Sequence, residues 1–255
     1  MTRKTSLSRR LGQLASQYWG ILALLLAWQA WVTFGQLNEI VMPEPLAVLG
    51  DILGHGGLYL ANGAQTLAIA VAGLALGMLF GTLIAVLSWT SRLLNGMLVP
   101  VALVLSSIPV VAMIPILARL LGYDLKTVLA IVIIISFFPA LVFTAAGLKA
   151  LPHGSDDLFR VFGARRWTRF VNLVLPAAVP SWMIAFRLTA PPAILVAMVA
   201  EFLMASGGLG EMFRDAADKF DMARAFGTSL VATLVSVISF LGATWAERKV
   251  KERWT

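Results

Sequence analysis

The chain has 255 residues, 59% of them apolar and only 13% charged, with a formal net charge of +7. Soluble domains carry roughly 25% charged residues, so this chain cannot cover a water-facing surface and a bilayer must solvate most of its length. Cysteine is absent, which excludes disulfides and thiolate chemistry, and the two histidines, His55 and His153, stand too far apart in sequence to suggest a structural zinc site.

A spanning helix needs about 20 apolar residues. Charge-poor windows supply them in six places. The first runs from Leu11 to Asn38 and is most apolar near Trp19 to Phe34. The second lies within Ile52 to Ser91, best at Ala64 to Trp89. The third is Leu93 to Ala118 and the fourth Thr127 to Leu148. The fifth, about Val179 to Leu203, is interrupted by Arg187 and Glu201, and the sixth is Ala225 to Ala246. The expected fold is an all-α integral membrane protein with six transmembrane helices. No Ala-x-Ala cleavage site follows the Trp-rich first span, so that span is expected to be retained.

Basic residues set the orientation. With the N-terminus inside, Arg3, Lys4, Arg9, Arg10, Arg92, Lys149, Arg160, Arg165, Arg166, Arg169, Arg248, Lys249, Lys251 and Arg253 all fall on the inner side. Arg119, Lys126, Arg214, Lys219 and Arg224 fall outside. Both termini are therefore expected in the cytoplasm. The excess positive charge reads as a property of inner loops and not as a nucleic-acid surface.

Within the second span, Gly73, Gly77 and Gly81 recur every fourth residue and put bare backbone on one helix face. Such a face serves either packing inside one subunit or contact between subunits. Pro109, Pro115 and Pro139 fall in spans three and four, and Pro191-Pro192 in span five. Each removes a backbone donor and bends a helix, which is either ordinary packing or the mark of helices that line a cavity or move. Arg187 and Glu201 are the charges well inside a span. A central charge costs about 2.5–3.5 kcal/mol on insertion scales, so each must face protein or water. They stand too far apart along one helix to pair with each other. Arg187 reads as a buried anchor or as a contact for a passing anion, and Glu201 as a group near the outer mouth.

Outside, Gly207, Gly208 and Gly210 lead into Glu211, Phe213, Ala216, Ala217 and Phe220 at helical spacing. This predicts a short amphipathic helix over Ser206 to Ala223, serving as a lid, a docking surface or a plain solvated cap.

Between spans four and five the chain is polar and Arg-rich. Lys149 ends the fourth helix and Pro152 stops it. Ser155 is read as an N-cap, with Asp156 and Asp157 in the first turn where the helix dipole favours anions. Leu158, Phe159 and Phe162 form an apolar edge, Gly163 breaks the helix, and Arg165, Arg166, Trp167 and Arg169 begin a second helix running to Pro176. From composition alone this is either a basic loop resting on anionic lipid or a handle for a soluble partner.

The spacing of that handle resembles the signature of ABC importer permeases: Glu-Ala-Ala, three residues, Gly, nine residues, Ile, one residue, Leu-Pro. Asp157 falls at the Glu position, Leu158-Phe159 at Ala-Ala, Gly163 and Ala164 at the turn, Leu173 at the Ile, and Leu175-Pro176 at the close. Met42-Pro43-Glu44-Pro45, Ser107-Ile108-Pro109, Ile114-Pro115, Ala200-Glu201 and Ser206-Gly207-Gly208-Leu209-Gly210 are similar to the nitrate/sulfonate/taurine-type members. Asp for Glu and Leu-Phe for Ala-Ala depart from the pattern, as does the Pro191-Pro192 pair.

The resemblance implies a type I importer permease fold, with residues 1–62 leading into a core permease domain over 63–255 and a coupling helix at about 152–176. It implies a bacterial inner-membrane subunit that works with two ATPase subunits, a second permease subunit (an identical copy being the simplest arrangement) and an extracytoplasmic binding protein. ATP and Mg would be bound by the ATPases, and no Gly-x-x-x-x-Gly-Lys-Ser/Thr occurs in this chain. The cargo would be a small solute: a sulfonate-like or nitrate-like anion, or a vitamin precursor. Asp157, Leu158, Phe159, Phe162, Gly163, Ala164, Arg165, Leu173, Leu175 and Pro176 would couple to the ATPase, and Arg187, Glu201, Pro109 and Pro115 are the pathway candidates. A secondary transporter is the competing reading, though it would call for internal repeats and mid-membrane ionisable groups. An intramembrane enzyme would need a nucleophile–base pair, which Ser106, Ser107 and Ser136 lack in sequence.

Overall fold

Apolar runs in lipid must satisfy their backbone hydrogen bonds internally, and helices do so within one segment. The computed structural model describes residues 7–253; for residues 7–18, Arg92, Val99, Leu103, Leu105 and Ser106 only the backbone is described. All regular structure among them is helical: α1 (Leu7–Phe34), α2 (Pro45–Gly54), α3 (Gly56–Thr90), α4 (Arg92–Ser106), α5 (Val110–Leu121), α6 (Leu125–Gly147), α7 (Ser155–Val161), α8 (Arg166–Arg169), a π-helical turn (Phe170–Val174), α9 (Leu175–Met204), α10 (Gly208–Asp218) and α11 (Met222–Lys251).

Four stretches are each long and apolar enough to cross a bilayer: α3, α6, the continuous run Arg166–Met204, and α11. The first expected span is the 28-residue α1. The third departs from expectation. It is two helices of 15 and 12 residues, α4 and α5, parted at Ser107–Pro109. At 1.5 Å per residue these reach about 22 and about 18 Å, each short of the roughly 30 Å hydrocarbon core. Pro109 is the cause: its φ is −60° and ψ 117°, extended backbone at the N-cap of α5. No apolar window announces α2, whose helix opens on Pro45 at its first position, where a missing N–H costs nothing.

The centre of the bundle is α6, flanked by α3 and α9, with α11 beyond α9. The glycine stripe explains the closest of these contacts. A Cβ added to Gly73 would lie 2.6 Å from Val132 Cβ, one on Gly77 2.5 Å from Ser136 Cβ, and one on Gly81 2.5 Å from the Phe137 carbonyl oxygen. All three glycines face α6 of the same chain. Around this seam Leu74, Met78, Val128, Ile131, Ala193 and Ile194 form a core with almost no exposure.

Proline does not interrupt α9. Pro180, Pro191 and Pro192 all lie inside it. Each ring removes the donor that the carbonyl four residues earlier would accept from, so the Arg187 and Leu188 carbonyls lose their helical partners at Pro191 and Pro192. Just before Pro176 the helix widens instead. Leu175 N–H donates to the Phe170 carbonyl, five residues back, and the π turn gives room to the proline ring that follows.

Candidate functional site

The elbow between α6 and α9 is built by local turn chemistry. Gly154, at φ +74°, takes the N-cap position of α7, and Ser155 is the first helical residue, so the expected Ser155 cap is not formed; its hydroxyl donates to the Pro152 carbonyl at 2.7 Å. Gly163, at φ +65°, closes the other end. Its N–H donates to Arg160 O at 2.9 Å, and Ala164 N–H donates to Phe159 O at 3.0 Å. That pair of bonds is a Schellman motif with the left-handed residue at C′, where a side chain would be strained.

The elbow leaves apolar side chains outward: Leu158, Val161 and Phe162 are 54%, 83% and 78% exposed. Phe159 is half-buried and Asp157 is exposed. Among the described residues it is Asp156, not Asp157, that ties α7 down: Arg160 Nη2 lies 2.9 Å and Arg169 Nε 3.1 Å from its carboxylate. The Arg169 pair joins the elbow to the base of the long helix. That helix does not stop at Pro176 as expected from sequence but runs on to Met204. Arg165 has extended backbone at its start; Leu173 and Pro176 are half-buried and Leu175 is 40% exposed.

The four pathway candidates do not converge. Pro109 and Pro115 are exposed on α5. Arg187, on α9, pairs with Glu247 on α11 at 2.8 Å, and Lys251 Nζ sits 2.7 Å from the other oxygen of that carboxylate. Sequence reasoning missed Glu247 because it lies just past the sixth apolar window. Separately, an apolar cleft of about 820 Å³, not lined by Arg187, opens between walls of Leu74, Met78, Leu79, Trp182, Phe186 and Ala190. Trp182 and Phe186 stack with rings 6.1 Å apart and 3° between planes, and the Trp182 indole donates to Thr82 Oγ1 at 2.9 Å. The cleft's polar lining is Thr82, Thr144 and Ser239; among the described residues no charged side chain borders it.

Glu201 is fully buried. Its Oε2 accepts from Thr66 Oγ1 at 2.7 Å and from Gly210 N–H at 3.1 Å, while Thr66 Oγ1 accepts from Leu209 N–H at 2.8 Å. Thus α3, α9 and the first turn of α10 meet on one carboxyl. Only glycine fits there: a Cβ on Gly208, at φ +73°, or on Gly210 would collide with Glu201. Helix α10 is the amphipathic helix expected from sequence, but it ends at Asp218. Leu209, Met212 and Ala216 form its buried face, while Phe220 lies beyond it at φ +58° and 66% exposed.

Nearby, Asp51 on α2 accepts from Tyr59 O–H at 2.6 Å and Arg224 Nη2 at 2.9 Å, fastening α2 to α3 and α11. Burial raises the Asp51 pKa, but the bonds from Tyr59 and Arg224 outweigh it and hold the carboxyl below its ordinary value.

A bundle of bilayer-length helices with an exposed apolar elbow between two of them defines the class as an all-helical membrane protein. Residues 73–253 match the family described as the binding-protein-dependent transport system inner membrane component, and the chain belongs to that family. It is an ABC transporter permease subunit, a transport component and not an enzyme. It is 28% identical to a probable ABC transporter permease of Haemophilus influenzae, over 87% of this chain and 91% of that one. It is 29% identical to the formylaminopyrimidine transport permease ThiX of Halalkalibacterium halodurans, over 78% of this chain and 80% of that one. Relatives named for riboflavin, aliphatic sulfonate and nitrate transport match at 27%, 23% and 25% identity. Its fold is that of a chain in the inward-facing methionine ABC transporter MetNI, with a TM-score of 0.63 at 20% identity over 76% of this chain and 96% of that one.

Proposed function

We propose that this permease forms half of the translocation pathway of an ATP-driven importer and that the α7 elbow seats in a groove of a partner ATPase. The observation that carries this is the elbow itself. Leu158, Val161 and Phe162 stand exposed on a short helix held rigid by the Gly163 turn and by the Asp156–Arg169 pair. Apolar side chains on a polar elbow cost free energy in water unless a partner covers them. Asp157 and Arg165, exposed and outside any ion pair among the described residues, are the polar contacts offered beside them. Gly163, Ala164, Leu173, Leu175 and Pro176 hold the turn and the helix base in register.

In this reading both termini and the elbow face the cytoplasm of a bacterial inner membrane. Two ATPase subunits bind Mg-ATP, two copies of this chain enclose the pathway, and an external binding protein delivers the cargo. Closure of the ATPases draws the two elbows together. The Asp156–Arg169 pair and the unbroken run Arg166–Met204 pass that motion directly to α9.

The cargo is a small solute. Arg187 is already matched by Glu247, and the large apolar cleft carries hydroxyls and, among the described residues, no charge. This supports a weakly charged vitamin precursor over a nitrate-like or sulfonate-like anion. Glu201 acts here as a latch for α10, and Pro109 and Pro115 as the hinge of a split span.

The test is affinity isolation of the tagged chain from its native membrane, followed by crosslinking from Phe162→Cys. An ATPase crosslinked at that position is the expected result. A complex without an ATPase, or a crosslink to an external protein, overturns the proposal.

A further inference from the structure

At the base of the elbow the chain builds a second cleft, of about 310 Å³, bordered by Val86, Trp89, Thr90, Arg166, Trp167 and Phe170. We infer that this cleft binds the headgroup region of one anionic phospholipid of the cytoplasmic leaflet. The inference rests on the orientation proposed above.

Its position is the first ground. α3 ends at Thr90 and the long run into α9 begins at Arg166, so Trp89 and Arg166 mark the same end of two membrane-length helices. Tryptophan and arginine are favoured at that depth, where a ring can lie among headgroups and a guanidinium can reach water.

Its walls are the second. Trp89 and Phe170 lie 5.0 Å apart, and Trp167 and Phe170 5.6 Å apart, forming an aromatic shelf. Phe170 is buried beneath it while Trp167 is 73% exposed, as if walling an open groove. Such a shelf suits the glycerol backbone and the first methylenes of an acyl chain.

Its charge is the third. The Arg166 guanidinium lies over Trp89 at 5.2 Å, and its Nη2 donates to the Thr90 carbonyl at 2.6 Å. That bond uses one of five N–H donors. Among the described residues neither Arg165 nor Arg166 pairs with a carboxylate, whereas Arg160 and Arg169 are both engaged with Asp156. Between residues 149 and 176 the carboxylates are Asp156 and Asp157, against Lys149, Arg160, Arg165, Arg166 and Arg169. Arg166, which lines the cleft, therefore keeps donors for a phosphate at its rim, and the surplus positive charge around it matches an anionic headgroup over a zwitterionic one. Lipid seated there would brace the joint between the elbow and the long helix.

The test is native mass spectrometry of the full-length chain offered equal phosphatidylglycerol and phosphatidylcholine. Wild type is expected to retain phosphatidylglycerol in excess. Arg165→Gln with Arg166→Gln should cut that excess by about fivefold per arginine. Arg166→Gln alone, at an exposed side chain that pairs with no carboxylate among the described residues, should move it the same way even if the double variant does not fold. Trp167→Ser should lower retention of both lipids. Equal retention by wild type, or an excess indifferent to both arginines, overturns the inference. So does an excess that vanishes once the ATPase is bound, which would place the cleft under the motor. A separate measurement covers orientation. The chain has no cysteine, so Trp167→Cys supplies a single labelling site. Labelling from outside intact cells would overturn the orientation, while the lipid count in detergent does not depend on it.

Discussion

Arg187 on α9 and Glu247 on α11 meet at 2.8 Å, and Lys251 holds the second oxygen of the same carboxylate. The glutamate side chain is 7% exposed and the arginine 32%. One buried anion thus carries two cations and joins the elbow-bearing helix to the last span.

Breaking that pair should destabilise the fold. Removing one partner of a fully enclosed pair costs roughly 3–5 kcal/mol, and the partial exposure of Arg187 reduces the figure here to about 2 kcal/mol. Glu247→Gln should lower the melting temperature in detergent. Arg187→Gln should then cost less in the Glu247→Gln background than in wild type, as a double-mutant cycle would reveal. Additive losses would show that the two do not interact.

The glycine stripe gives a second expectation. Gly77→Val would drive its Cβ into Ser136 and the Ile133 carbonyl oxygen of α6, both within 2.6 Å. Little folded monomer should survive, because overpacked backbone contacts have nowhere to move. Gly96→Val, at a glycine with nothing within 4 Å, is the control. Equal yields of monodisperse protein would count against the seam.

Gly163→Pro should separate transport from stability. Proline cannot reach φ +65° and removes the N–H that closes the Schellman motif. The spans lie elsewhere, so the variant should insert normally, and the proposed partner ATPase in complexes with it should hydrolyse ATP without cargo moving in reconstituted vesicles. Wild-type uptake would refute the elbow's role.

The Glu201 latch should tolerate loss of charge but not loss of shape. In Glu201→Gln the amide oxygen can still accept from Thr66 and Gly210, so α10 should stay docked. Thr66→Val removes the donor to Glu201 and the acceptor for Leu209 N–H together, a cost of about 1–3 kcal/mol. Hydrogen exchange over 205–218 should rise in Thr66→Val and stay near wild type in Glu201→Gln.

Asp51 sets a pH dependence. Its folded pKa lies below the ordinary 3.8, so its contribution is present above that value and lost as pH falls through the lower one. Asp51→Asn should therefore lower the melting temperature at about pH 6, and the deficit should shrink as the pH drops toward about 3. A deficit constant across that range would exclude the carboxylate's charge as its source.

Apart from the third span, which splits at Pro109, the spans and the elbow were legible in the sequence because both are written locally. Hydropathy over a window forces a helix in lipid, and turn residues such as Gly163 and Pro152 act on their immediate neighbours. The fourth and sixth windows fall within one to five residues of α6 and α11 at either end. Other features depend on contacts that no window contains. The partner of Arg187 lies on another helix beyond the last apolar window, and Thr66 and Gly210 reach Glu201 from α3 and α10. Whether Gly73, Gly77 and Gly81 faced α6 or a second subunit was likewise decided by tertiary packing. A helix face states only that it must be buried; which neighbour buries it depends on how the spans are arranged around α6.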